Sequence, residues 1–270
     1  MTAHLHAHAG SADPVGSPVV LAVMNDETDG PAMIGQWLAG AGVTVQEVHG
    51  FAGQAVPRTV PVGVSGILTL GGAMGAYQVP EYPWLADEQA LMVDAINRGV
   101  PVLGVCLGGQ LLAAATGGEV RLGPQPEIGL TRVQRTDAGA ADPLVAAIAA
   151  DPQGIPAAVW HQDYITQLPP TATLLLTSPD CPVQAFRVGS SAYGLQMHPE
   201  VDGPTFASWL GIPDEARERS GIDIGRALVE VADAEADLLR AWQPLIVAWA
   251  QLVHQATPVG ASGAARSAGP

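Results

Sequence analysis

Cysteine is nearly absent: the 270-residue chain holds two, Cys106 and Cys181. Two cysteines build no disulfide framework, and a reducing cytoplasm is the simplest setting. Positive charge is also scarce. There are 11 Lys and Arg against 26 Asp and Glu, a formal net charge of −15. Such a chain repels phosphate backbones and anionic headgroups, which argues against nucleic acid and anionic membranes as partners. No apolar run approaches the ~18 residues of a membrane span. The stretch from Met1 to Pro18 lacks the basic-then-apolar order of a signal peptide. What the chain has in quantity is apolar surface, 48% of its residues. That suffices for a substantial core, in one large domain with appendages.

Residues 1–17 are rich in Ala, His, Gly, Ser and Pro and read as a disordered tail. Within it His4, His6 and His8 alternate, a pattern that can bind a metal adventitiously. Order is expected from Pro18 to residue 257, with a flexible tail over 258–270. Val19–Val23 reads as a buried strand, Pro31 opens a helix that Gly40-Ala41-Gly42 ends, and Val43–Val48 is a second strand. His49 reads as structural, since no second ligand stands at metal spacing. Gly66–Leu70 is a third strand that runs into Gly71-Gly72, and Trp84–Asn97 is a helix stopped by Gly99. Strands that are apolar throughout and alternate with helices predict an open, mostly parallel sheet covered by helices on both faces.

The second half changes character. Glu119–Leu122, Leu130–Gln134, Ala157–Trp160, Ala172–Thr177, Val183–Arg187 and Ala192–Met197 read as shorter strands with hairpin-like punctuation. They predict an antiparallel extension at one side of the sheet. Thr205–Leu210 is a short helix, and Ile224–Gln255 a long helical stretch with a kink expected at Pro244. Leu238, Trp242, Leu245, Trp249 and Leu252 form one apolar stripe on it. The stripe is expected to pack on its own domain in preference to a dimer seam, which leaves a homodimer open.

The chemistry centres on Gly104-Val105-Cys106-Leu107-Gly108. A short apolar strand stops at a cysteine flanked by glycines at minus two and plus two, and a helix follows. This is the spacing of a nucleophile elbow, with a thiol in place of a hydroxyl. Unpaired N–H groups at the helix start favour a thiolate there. Without partners, a lone cysteine is as well read as a small buried hydrophobe. Partners exist. His198 and Glu200 stand two apart in Gln196-Met197-His198-Pro199-Glu200, so in an extended segment their side chains leave one face. A carboxylate beside an imidazole holds its tautomer, and an imidazole beside a thiol is a base beside a nucleophile. The Leu107 N–H is the natural first oxyanion donor, and Gly72, at the end of a neighbouring strand, the second. Cys181 lacks an elbow and reads as structural. Glu127 reads either as lining the site or as a loop carboxylate bonded to backbone. Tyr77, Glu81 and Trp84, after the glycine turn, could form a flap.

The ordered blocks Leu70-Gly71-Gly72-Ala73, Gly104-Val105-Cys106-Leu107-Gly108-Gly109-Gln110, Trp160-His161-Gln162-Asp163, Gln184-Ala185-Phe186 and Gly194–Glu200 resemble the class I (triad-type) glutamine amidotransferases, in particular stand-alone GMP-synthase-like members. The resemblance covers about residues 18–255. It implies a flavodoxin-like α/β fold with an antiparallel extension and C-terminal helices. It implies that Cys106 attacks the side-chain amide of glutamine, that His198 moves the protons and that Glu200 orients His198. Gly72 and Leu107 would hold the oxyanion. Gln110 and the main chain around Trp160, Gln162 and Asp163 match the positions that hold the amino-acid part of the substrate. No metal or other cofactor is implied. Two positions depart from the family pattern: Ala73 where Pro is frequent, and Gln162 where Gly is common. Both bear on the amino-acid pocket. No Gly-x4-Gly-Lys loop is present, so ammonia would pass to a separate synthetase or acceptor subunit. Another γ-glutamyl amide or peptide is the alternative substrate. A non-catalytic regulator of the same fold is a further alternative, which the intact set Cys106, His198 and Glu200 argues against.

Overall fold

The computed structural model describes residues 16–211 and 220–260. The alternating histidines His4, His6 and His8, most of the N-terminal tail and the last ten residues lie outside the described residues. The elements run β1 (Val19–Met24), α1 (Ala32–Gly40), β2 (Thr44–His49), β3 (Val64–Thr69), α2 (Trp84–Arg98), β4 (Val102–Val105), α3 (Leu107–Ala115) and β5 (Glu119–Arg135). They continue with α4 (Asp137–Ala141), β6 (Ile155–Gln167), β7 (Ala172–Thr177), β8 (Ala185–Val188), β9 (Ala192–Leu195), α5 (Gly203–Ser208), α6 (Ile224–Asp233) and α7 (Glu235–Gln255).

The nine strands among the described residues join one sheet, in the order β2-β1-β3-β4-β9-β8-β7-β5-β6. The first five of that order pair in parallel, and from β9 onward each pair is antiparallel. The expected parallel sheet with an antiparallel extension is what the chain forms. Successive residues of β1 point to opposite faces, as a pleated strand requires. Val20, Ala22 and Met24 pack with Ile34 and Leu38 of α1 and Trp242 and Trp249 of α7. Leu21 and Val23 pack with Leu85 and Leu91 of α2 and Leu111 and Leu112 of α3. Both faces are therefore covered over β1, β3 and β4, while the edge strand β2 exposes Thr44, Gln46 and Glu47. The carboxyl ends of the parallel strands are left for the site.

Three expectations need correction. Glu119–Leu122 and Leu130–Gln134 are not separate strands but the two ends of β5. The intervening Pro124 and Pro126 sit where the pairing with β6 shifts register, between Leu122 and Glu127. Prolines, which lack an N–H, are tolerated at such a bulge. β6 likewise runs past Trp160 to Gln167, because it pairs with β5 along both arms. Finally, the C-terminal helical stretch breaks at Ala234, while α7 continues through Pro244. The break lets each helix serve a different layer. α6 lies on β5 at Gly129, and α7 lies on α1 and β6. The apolar stripe is used as expected. Leu238, Trp242, Leu245 and Trp249 are buried in the chain's own core. The Trp242 indole also donates to the Pro156 carbonyl at 2.9 Å.

Candidate active site

Cys106 joins β4 to α3 with φ 48° and ψ −108°, a left-handed backbone that a side-chain-bearing residue seldom adopts. The two flanking glycines are steric necessities. A Cβ on Gly104 would lie 2.5 Å from the Gly108 carbonyl oxygen, and one on Gly108 would lie 2.3 Å from that of Thr69. The turn is pinned to its neighbours. Cys106 N–H donates to Leu195 at 2.8 Å, and Gln110 N–H donates to Cys106 at 3.0 Å. The thiol faces the Trp160 carbonyl and the Gln196 amide nitrogen, each at 3.9 Å.

The chain leaving β9 carries the second half of the site. His198 N–H donates to Ala158 of β6 at 2.9 Å, which fixes the backbone. Its ring Nδ1 lies 2.6 Å from Glu200 Oε1. The two side chains therefore meet, as their two-residue spacing requires. Burial alone would push the His198 imidazole down. The charges of Glu200 and Cys106 and the hydrogen bonding of both outweigh it and hold the imidazole well above its ordinary 6.5. The other ring nitrogen, Nε2, has no partner of full hydrogen-bond geometry.

A cavity of about 440 Å³ opens between these groups, a size suited to a small molecule. Cys106, His198, Gly72, Leu107, Gln110, Trp160, Gln162 and Asp163 all line it. Of the residues given catalytic, oxyanion or substrate-holding roles, Glu200 alone is not in the wall; it stands behind His198. Gln110 is held by its side-chain amide, which donates to Asp163 O at 3.0 Å and to Gln196 Oε1 at 3.3 Å. The Tyr77 hydroxyl donates to the Asp163 carboxylate at 3.2 Å, which joins the segment after the glycine turn to β6. Burial nonetheless pushes the Asp163 carboxyl up, against that bond and His161. Trp84 of the expected flap is instead tied down, its indole donating to Asn25 at 2.9 Å.

Six wall residues escaped the sequence reading: Asp26, Asp29, Met74, Gln78, Tyr82 and Trp209. Trp209 lies with its ring centroid 4.5 Å from that of His198 and also packs on Trp160 and Phe206. Asp29, in the loop after β1, is buried beside His198 and Glu200. The rule that open parallel sheets bind ligands beyond their carboxyl strand ends could have marked that loop. His49 is structural, stacked on Phe51 and 3.0 Å from Glu47. Glu127 is neither in a loop nor in the cavity wall. The register of β5 sets it opposite His161, 2.9 Å from the ring Nε2, and Gln184 donates to it at 3.2 Å. Cys181 completes a potential donor group with Glu127 and His161. Burial and the Glu127 charge push its thiol up to about 12.

A doubly covered parallel sheet that delivers a strained cysteine and a His–Glu pair to one cavity defines a nucleophile-elbow α/β protein. The model of the glutamine amidotransferase class-I family matches residues 41–209, and the chain belongs to that family. A GMP synthase of Aeropyrum pernix is 34% identical over 192 residues, 68% of this chain and 33% of that protein. The glutamine amidotransferase-like protein YfeJ of Salmonella typhimurium is 32% identical over 170 residues, 61% of this chain and 68% of that one. Among solved structures, a glutamine amidotransferase from Thermotoga maritima superposes with a TM-score of 0.75 at 28% identity, covering 87% of this chain and 99% of that one. The chain spans about a third of the length of the GMP synthase it matches. Among the described residues, no helix is long and apolar enough to cross a membrane.

Proposed function

We propose that this protein hydrolyses the side-chain amide of glutamine through a thioester on Cys106 and passes the ammonia to a separate acceptor-binding partner. The Cys106 sulfur attacks the amide carbon, and the oxyanion is held by the N–H groups of Gly72 and Leu107. His198 gives its proton to the nitrogen, the C–N bond breaks, and ammonia leaves. A water molecule then loses a proton to His198 and attacks the thioester. Glutamate departs and the thiol is restored. Glu200 keeps the His198 ring oriented and stabilises its cationic form. Gln110 and the strand around Trp160, Gln162 and Asp163 hold the amino-acid end. None of these steps calls for a cofactor.

The observation that carries this reading is the convergence of Cys106, at φ 48°, and His198, backed by Glu200 at 2.6 Å, on one cavity. Strain of that kind, about 1–3 kcal/mol, is retained where it serves a site. A second reading keeps the chemistry and changes the substrate to another γ-glutamyl amide. It is favoured by Asp26 and Asp163 in the cavity wall, with no Lys or Arg among the described lining residues. That balance suits a leaving amine that carries further positive charge. The experiment is to incubate the purified protein with glutamine and with a set of γ-glutamyl amines and to measure glutamate. Release from glutamine supports the first reading and release from the amines alone the second. No release from any of them overturns both.

A further inference from the structure

A carboxyl group outside the Cys106-His198-Glu200 set is built into its foundation. Asp29 follows β1, and one donor atom each from Asp29, His198 and Glu200 lie within 4.8 Å of one another. The segment is fastened in place. Met33 N–H donates to the Glu200 carbonyl at 3.2 Å, and the Trp209 indole donates to the Thr28 carbonyl at 3.3 Å. Gly71 packs so tightly on the Asp29 carboxylate that a Cβ would fall 2.0 Å from its Oδ2. Asp29 is 6% exposed and Glu200 is fully buried. Asp29 Oδ1 and Glu200 Oε2 are both buried, and neither receives an N–H or hydroxyl donor among the described residues. Two ionised carboxylates cannot share such a place at low cost, since they repel and burial strips away most of their hydration. One proton between them removes both difficulties.

We propose that Asp29 is a positioning residue: its carboxyl keeps a proton and donates it to Glu200, so that the acid pair behind His198 holds one negative charge and not two. Glu200 then has both oxygens occupied, one by His198 and one by Asp29. The inference rests on the reading of His198 and Glu200 given above. The groups facing Asp29 are His198 and Glu200 from the segment after β9 and Asp26 from its own loop; Cys106 acts on His198 from α3. Burial raises the Asp29 carboxyl to about 7; His198 pulls it down, and Glu200 and Asp26 push it further up. Below that pH the proton is in place. Above it a second negative charge appears beside the imidazole and favours imidazolium.

The test is an NMR titration of the full chain, reading carboxyl carbons and imidazole nitrogens in wild type and in Asp29→Asn. Asn keeps the shape and donates to Glu200 without titrating. The expected result is an Asp29 carboxyl that titrates near pH 7, a matching inflection in the His198 shifts, and loss of that inflection in Asp29→Asn. An Asp29 carboxyl that titrates in the ordinary range near pH 4, or a His198 curve unchanged by the substitution, overturns the proposal. If Asp29→Asn fails to fold, the wild-type Asp29 signal, assigned through its own backbone, decides alone. Glutamate release is measured on the same samples. Coupled titration without release removes the hydrolase reading and leaves Asp29 as described; release without coupled titration removes Asp29 alone.

Discussion

His198 Nδ1 and Glu200 Oε1 lie 2.6 Å apart, with the two side chains 2% and 0% exposed. At that distance the ring N–H donates to the carboxylate, and Nε2 is left for the cavity. Replacing Glu200 by Gln removes the charge and the tautomer preference and leaves the volume. Glutamate release by Glu200→Gln should fall about 10²- to 10⁴-fold, as when a triad carboxylate is neutralised. The steady-state rate measures this. A loss under threefold would mean that Glu200 is only packing.

Cys106→Gly should separate stability from activity. Glycine relieves the strain of φ 48°. It also frees the unfolded chain, at roughly 0.5–1 kcal/mol. Against strain relief of about 1–3 kcal/mol, the net change is about 1 kcal/mol in favour of the folded state. The thermal midpoint should rise by about 2–4 °C while glutamate release vanishes. A lower midpoint would show that the turn is not strained.

Gly72 is packed on three sides. A Cβ there would fall 2.8 Å from Met74 Sδ, 2.9 Å from Asn25 Cβ and 3.1 Å from a Leu107 methyl. Gly72→Ala must move the turn and its N–H. Glutamate release should drop about 10²- to 10³-fold, the cost of one lost oxyanion donor. Alkylation of Cys106 by iodoacetamide, which needs no such donor, should stay within about twofold. Equal loss of both would locate the damage in the elbow instead.

Much of this site was legible because its parts are local in sequence. The glycines at 104 and 108 announce a turn of close backbone approach, and the spacing of His198 and Glu200 dictates that their side chains meet. β1, β3 and β4 were legible for a similar reason, since burial on both faces leaves unbroken apolar runs, whereas the edge strand β2 was read from its alternation. What failed was long-range. Pro124 and Pro126 look like a break until β6 supplies a partner that tolerates a register shift. The split at Ala234 follows from two different packing layers, which no local pattern encodes. Asp29 and Trp209 carry no motif, and only the closing of the fold brings them to His198.

Glu88 offers a test of the core beneath the site. It is fully buried in α2, bonded by Asn25 at 3.4 Å, and burial raises its carboxyl to about 8. A carboxyl whose folded pKa lies above its unfolded value stabilises fully below the unfolded value, near 4.5. That contribution is lost as the pH rises towards 8, because the unfolded chain can ionise freely. Glu88→Gln mimics the protonated form. Asp29 and His198 titrate alike in both proteins, so the test is the difference: from pH 5 to 8 the wild type should lose on the order of a few kcal/mol more stability in urea than Glu88→Gln. Parallel curves would mean that Glu88 is ionised in the folded chain.

The central claim is that Cys106 is acylated by the amide carbon of its substrate. A diazoketone analogue of glutamine carries an electrophilic carbon that a thiol nucleophile in this cavity would attack, and peptide mass spectrometry reads where the label falls. The account predicts one label per chain, on Cys106, with glutamate release lost in proportion and with glutamine slowing the labelling. A Cys106 left unmodified while glutamate is still released from glutamine would contradict it.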